Sequence, residues 1–148
     1  MADPKLLLAD LQKELQGEVI EEVYQVGNHK YTMRLLNEAE TSWVYSHLEM
    51  GSEVGMAMSV RLPQLAAGIR CVDGVSKEEL LEEFFTRLPD AQKMLMMAGG
   101  NSKRIAFYNG KFLDIIAEWN PKVVQELYTK WLELETRRSE AQVELKNS

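Results

Sequence analysis

The stretch "RLPQLAAGIRCVDGVS", residues 61–76, decides how the middle of the chain is read. Leu62, Leu65, Ala66 and Ile69 recur at steps of three and four, the spacing of one helix face. That spacing predicts a helix from about 54 to 72, entered through Met56 and Val60 and stopped by the turn pair Asp73-Gly74. Pro63 removes one backbone donor and crowds the carbonyl of Ser59, so a kink or restart is expected there. Arg61 and Arg70 lie about 2.5 helical turns apart, so on a straight helix they point to opposite sides and form no ready-made anion clamp. The stretch reads as a segment built to pack.

Upstream, the period changes. Tyr31, Met33 and Leu35 alternate with Thr32, Arg34 and Leu36 after the turn pair Gly27-Asn28, which predicts a β-hairpin over about 19–36. A lone hairpin is barely stable, so it must pack on helices or join another sheet. Before it, residues 3–17 read as a short helix, with Asp3 as cap, Pro4 at the first helical position and Gly17 as stop. Leu7, Leu8, Leu11 and Leu15 share one face of that helix, which would be marginal alone and needs a surface to dock on. After the hairpin, Asn37 and Glu40 form a variant of the capping box for a helix whose apolar side carries Ala39, Trp43 and Leu48, with Val44 and His47.

Downstream, Ser76 and Glu79 open a helix over 76–88 with Leu80, Leu81, Phe84, Phe85 and Leu88 as its buried stripe. A short helix over 89–103 ends at Gly99-Gly100. Ile105, Tyr108, Phe112, Ile115 and Trp119 mark the next, with Gly110 inside it. Asn120-Pro121 opens a last helix running to about 146. Its residues Val124, Leu127, Trp131, Leu134, Arg138, Ala141 and Leu145 form a heptad-like seam with one charged intruder, Arg138. The seam either packs on its own domain through Trp131, or projects beyond Leu134 to meet a partner helix. The expected fold is mostly α: residues 1–17 as a docking helix, and 18–148 as one helical domain with a single hairpin and a long terminal helix. Its principal core is expected to include Trp43, Leu65, Ile69, Phe84, Phe112 and Trp119.

Composition narrows the function. The chain has 148 residues and a net charge of −6, an acidic balance that argues against a general nucleic-acid binder. One cysteine, Cys71, rules out an internal disulfide and a multi-cysteine zinc site, and on an apolar helix it would act as a small hydrophobe. No basic region followed by a long apolar run opens the chain and no 18-residue apolar stretch exists, so neither a signal peptide nor a membrane span is expected. The paired glutamates sit in first turns and on solvated faces. His29 and His47 lack metal-ligand spacing, and "AGGNSKR" (98–104) lacks the phosphate-loop spacing, so it reads as a helix stop and restart. His47 is expected at the core boundary and Met94, Met96 and Met97 mainly inside, with adaptable partner binding as the alternative. No catalytic, cofactor or metal set is found.

A pattern of segments carries a resemblance. "YTMRLLNEAE" precedes the Trp43 helix, then come "RLPQLAAGIRCVDGVS", "EELLEEFFTRL" and "NPKVVQELYTKWLELETRRSEA". From about 24 to 141 this order resembles small tail-assembly and baseplate-hub assembly proteins of tailed bacteriophages, where an arginine-led "R…LA..I..IDG" helix and a terminal "L…Y..L..R..EA" helix recur. The resemblance implies a non-enzymatic protein, either a minor virion component of the tail or baseplate or an assembly chaperone. It would act in the host cytoplasm during assembly, or in the virion tail. Its partners would be other tail or baseplate proteins, or a second copy. The candidate protein-binding residues are Leu7, Leu8, Leu11 and Leu15 at one end and Trp131, Leu134, Arg138, Ala141 and Leu145 at the other. The alternative is a regulatory adaptor binding a host or phage protein through its C-terminal helix; an enzyme ranks third.

Overall fold

The computed structural model describes residues 3–16, 20–47 and 53–147; side chains are described except for 12–16, 53–58, 101–102 and 138–147. The fold is mostly α with a minor β part, as the sequence predicts. Helix α1 is Pro4–Gln16, the hairpin is β1 Glu21–Val26 and β2 His29–Arg34, and helices α2 Glu38–Tyr45 and α3 Glu53–Gly68 follow. Gly27 takes φ 61 while Asn28 stays out of the left-handed region, so the predicted turn forms with glycine at its first central position. The side chain of Asn37 and that of Glu40 close the predicted capping box at α2.

The quoted stretch departs from its expected shape. Helix α3 passes through Pro63 as one element and stops at Gly68. Ile69–Val72 is strand β3 and Val75–Ser76 is strand β4, joined by Asp73 (φ 52) and Gly74 (φ 79). Two positive φ values in a two-residue loop are what a twisted hairpin requires, and Asp-Gly is a sequence that supplies them. The chain therefore has two hairpins, not one. They join into an antiparallel sheet of order β1-β2-β3-β4, in which Tyr31 pairs with Val72 and Met33 with Ile69. The first hairpin finds its third strand within the same chain.

The turns of the two hairpins are tied together. The Asp73 amide donates to the Lys30 carbonyl at 2.7 Å, and the Lys30 amide donates to Asp73 Oδ1 at 2.8 Å. His29 Nδ1 lies 2.6 Å from Asp73 Oδ2. The Lys30 amide and then the His29 ring hold the exposed Asp73 carboxyl below the usual carboxylate range.

The expected helix over 76–88 is two short pieces, α4 Lys77–Leu80 and α5 Glu82–Thr86, with Leu81 between them at φ −106 and ψ 7. The break ends the three-and-four spacing. Leu81 is buried, whereas Leu80 and Phe84 are exposed, so Phe84 is not part of the core. Helix α6, Asp90–Ala98, turns Met94, Leu95 and Met97 outward; the expectation that the methionines fill the core fails for Met94 and Met97. His47 is also exposed, with its ring tilted against that of Trp43 and the centroids 4.4 Å apart.

Helices α7 Gly100–Ile116 and α8 Pro121–Asn147 complete the chain. The core joins Met33, Leu65, Ile69, Leu81, Phe112, Ile116, Leu127 and Trp131, with Trp43 and Trp119 packed partly buried against it. Trp131 and Leu134 are fully buried, so the described part of the α8 seam faces its own domain. Trp131 packs over Gly68, where a Cβ would overlap its ring. Polar contacts tie the same helices: Tyr128 donates to Gln64 at 3.1 Å and Arg61 donates to Gln125 at 3.1 Å. Arg137 pairs with Glu22 of β1 at 2.7 Å.

Candidate functional site: an arginine-lined cavity

Strand β3 carries one residue more than β2 can match. Thr32 pairs with Cys71 and Met33 with Ile69, leaving Arg70 without a partner position. Such a bulge re-aims the side chain of its extra residue. Arg70 Nη1 reaches Glu40 Oε2 at 2.9 Å, and Arg34 Nη2 at the end of β2 reaches Glu40 Oε1 at 3.3 Å. Glu40 is 1% exposed, while the two arginine side chains keep 29% and 27% of their surface. A buried carboxylate thus bridges two half-buried guanidinium groups, and Oε1 also accepts from the Asn37 amide at 3.1 Å. Partial water access lowers the desolvation cost of the group.

These residues form one wall of a cavity of about 230 Å³. Glu78 of α4 and Arg104, Ile105, Tyr108 and Asn109 of α7 form the rest. Arg104 makes no ion pair among the described residues. Asn109 is 2% exposed, and its Nδ2 has no hydrogen-bond partner among them. A second cavity of about 350 Å³ adjoins, sharing Arg104 and Tyr108 and lined otherwise by Phe85, Met96 and Met97.

Lys77 stands behind the site, 2% exposed. Its Nζ donates to the Ala66 carbonyl at 2.7 Å and the Ala67 carbonyl at 3.4 Å, serving the last turn of α3, and lies 5.8 Å from the Phe112 ring centre. Burial, with Arg70 adding repulsion, pushes its pKa down from 10.5 to about 7. The unfolded chain then holds one proton more than the folded one between those values. Stability should therefore rise with pH above about 7 and level off as the ordinary lysine value is approached. Burial raises the hydroxyl pKa values of Tyr24, Tyr31 and Tyr128, which reverses the trend above about pH 10. Urea unfolding from about pH 7 to about 9.5 should show the rise in the native chain and a flat line in Lys77→Met; equal slopes would refute the assignment.

The cavity contains none of the residues singled out from sequence as protein-binding. Leu7, Leu8 and Leu11 of α1 are exposed, together with Leu6. Trp131 and Leu134 lie in the core. Leu15, Arg138, Ala141 and Leu145 fall outside the described side chains. Arg70 pairs with Glu40 of α2, and the other residues lining the cavity come from β2, the cap of α2, α4 and α7, none of which shares a local spacing with it. Among the described residues, no cluster of His, Cys, Asp or Glu is placed to hold a metal, and no helix is long and apolar enough to cross a membrane. No family model matches the chain, and no curated protein or solved structure is significantly similar to it.

Proposed function

We propose that the chain is a non-enzymatic structural or assembly protein of bacteriophage tails or baseplates, working through protein–protein contacts. The observation that carries the reading is helix α1. Asp3 caps it, with Oδ1 accepting from the Lys5 amide at 3.0 Å. Leu6, Leu7, Leu8 and Leu11 of that helix are 66%, 51%, 57% and 40% exposed, a concentration of apolar surface at one end of the chain. Clustered exposed apolar residues mark surfaces that other proteins cover. The order of segments from 24 to 141 supplies the phage context.

Peptide mass spectrometry on purified particles and on assembly intermediates, with an uninfected-lysate control, tests the context. Recovery with tail or baseplate components is expected; recovery with none of them would refute it. The surface is tested separately. Leu7→Asp with Leu8→Asp should change the unfolding free energy by no more than about 0.5 kcal/mol, as for exposed positions generally. The same pair should remove co-purification with tail components. Unchanged co-purification would place the binding surface elsewhere.

A further inference from the structure

The geometry points to the cavity between β2, β3, α2, α4 and α7 as a binding site for a carboxylate group. Three guanidinium groups and two carboxylates line it, which leaves one positive charge in excess. Glu40 engages one nitrogen each of Arg34 and Arg70, and guanidinium groups carry five N–H donors, so donors remain on both. Arg104 is unengaged among the described residues. The independent observation is Asn109: its side-chain amide is buried, and Nδ2 has no hydrogen-bond partner among the described residues, whereas buried polar groups are ordinarily paired. Asn109 lines the cavity together with the three arginines. Arg34 and Asn109 lie on different elements, so local helix or strand formation does not account for their meeting.

Size and charge choose the ligand. At about 230 Å³ the cavity is smaller than ordinary small-molecule pockets of roughly 300–1,000 Å³, so it admits a functional group on a short stem. One excess positive charge matches a monoanion. Planar guanidinium pairs suit a carboxylate, which accepts two parallel hydrogen bonds. The adjoining cavity, with Phe85, Met96 and Met97, is placed to take an apolar side chain next to that acid. The site is thus matched to an acidic residue of a protein partner with an apolar neighbour. It stands on the cavity's geometry and does not depend on the phage reading.

The test is two-dimensional NMR of the ¹⁵N-labelled full chain, following the Asn109 side-chain amide. The probes are propionate, N-acetyl-Leu-Glu amide and inorganic phosphate, each against sodium chloride at matched ionic strength. Saturable shifts are expected for both carboxylates, with the dipeptide binding more tightly. Propionate binding as tightly as the dipeptide would keep the carboxylate site and assign it to a free acid. Arg104→Gln should weaken propionate at least about tenfold, the loss expected for a charge-assisted hydrogen bond. Arg104 is exposed, and backbone amide shifts check that the variant stays folded. Lys103→Gln, a neighbouring exposed charge outside the cavity lining, should change nothing. Shifts that merely follow ionic strength, unchanged affinity in Arg104→Gln, or tighter binding of phosphate than of either carboxylate would each overturn the assignment.

Discussion

Trp131→Ala is expected to lower the unfolding free energy by about 3–5 kcal/mol, the range for a large buried aromatic. The side chain is fully buried and meets the last turn of α3 over Gly68. Its Nε1 has no hydrogen-bond partner among the described residues, so packing rather than polar bonding makes the contribution. Gly68→Ala should also destabilise, by about 1–3 kcal/mol, because the added methyl overlaps a ring that the core holds in place. The double variant distinguishes this account from general fragility. With the ring gone, the methyl enters the space it left, so the two costs should fall short of their sum by about 0.5–3 kcal/mol. Additive costs, measured by urea unfolding, would mean that Gly68 and Trp131 are not in contact.

The second large effect belongs to Glu40. Glu40→Ala should cost about 3 kcal/mol, the lower end for breaking a buried ion pair, because the two arginines retain partial contact with water. The loss has two parts. Arg34 and Arg70 are left facing each other without a counter-charge, and the Asn37 amide loses its acceptor at the start of α2. Glu40→Gln keeps the shape and an acceptor but not the charge, and should cost less. Replacing the trio together (Glu40→Leu, Arg34→Met, Arg70→Met) removes the charges on both sides and should recover most of the stability. A Glu40→Ala chain that unfolds at the wild-type urea midpoint would show that the buried charge has no structural role.

The legible parts of the fold were those specified locally. Gly27-Asn28 and the alternation at Tyr31, Met33 and Leu35 marked the first hairpin, and Asn37 with Glu40 marked the start of α2. The second hairpin is masked in the sequence because Leu62, Leu65, Ala66 and Ile69 keep helical spacing across the point where the helix ends. A four-residue strand and a two-residue strand carry too little alternation to outweigh that run. The contrary signal was Asp73-Gly74, flanked by Val72 and Val75, which is a hairpin turn as well as a helix stop. The same overlap of spacings hides the cavity. Placed on a helix, Arg70 could be compared only with Arg61; placed on a bulged strand, it meets Glu40, 30 positions away. Nothing local in the sequence connects Arg34, Arg70 and Arg104. Their meeting depends on the pairing of β2 with β3 and the packing of α7.

Each hairpin closes through a two-residue turn, but β2 and β3 lie on either side of both α2 and α3. Bringing them together closes a loop several doublings longer than either turn, at about 0.6 kcal/mol of chain entropy per doubling. Helix formation in α2 and α3 shortens that loop, and the sheet in turn gives those helices a surface to pack on. The β2–β3 pairing is thus the long-range contact of the sheet, and the two hairpin turns are its local ones.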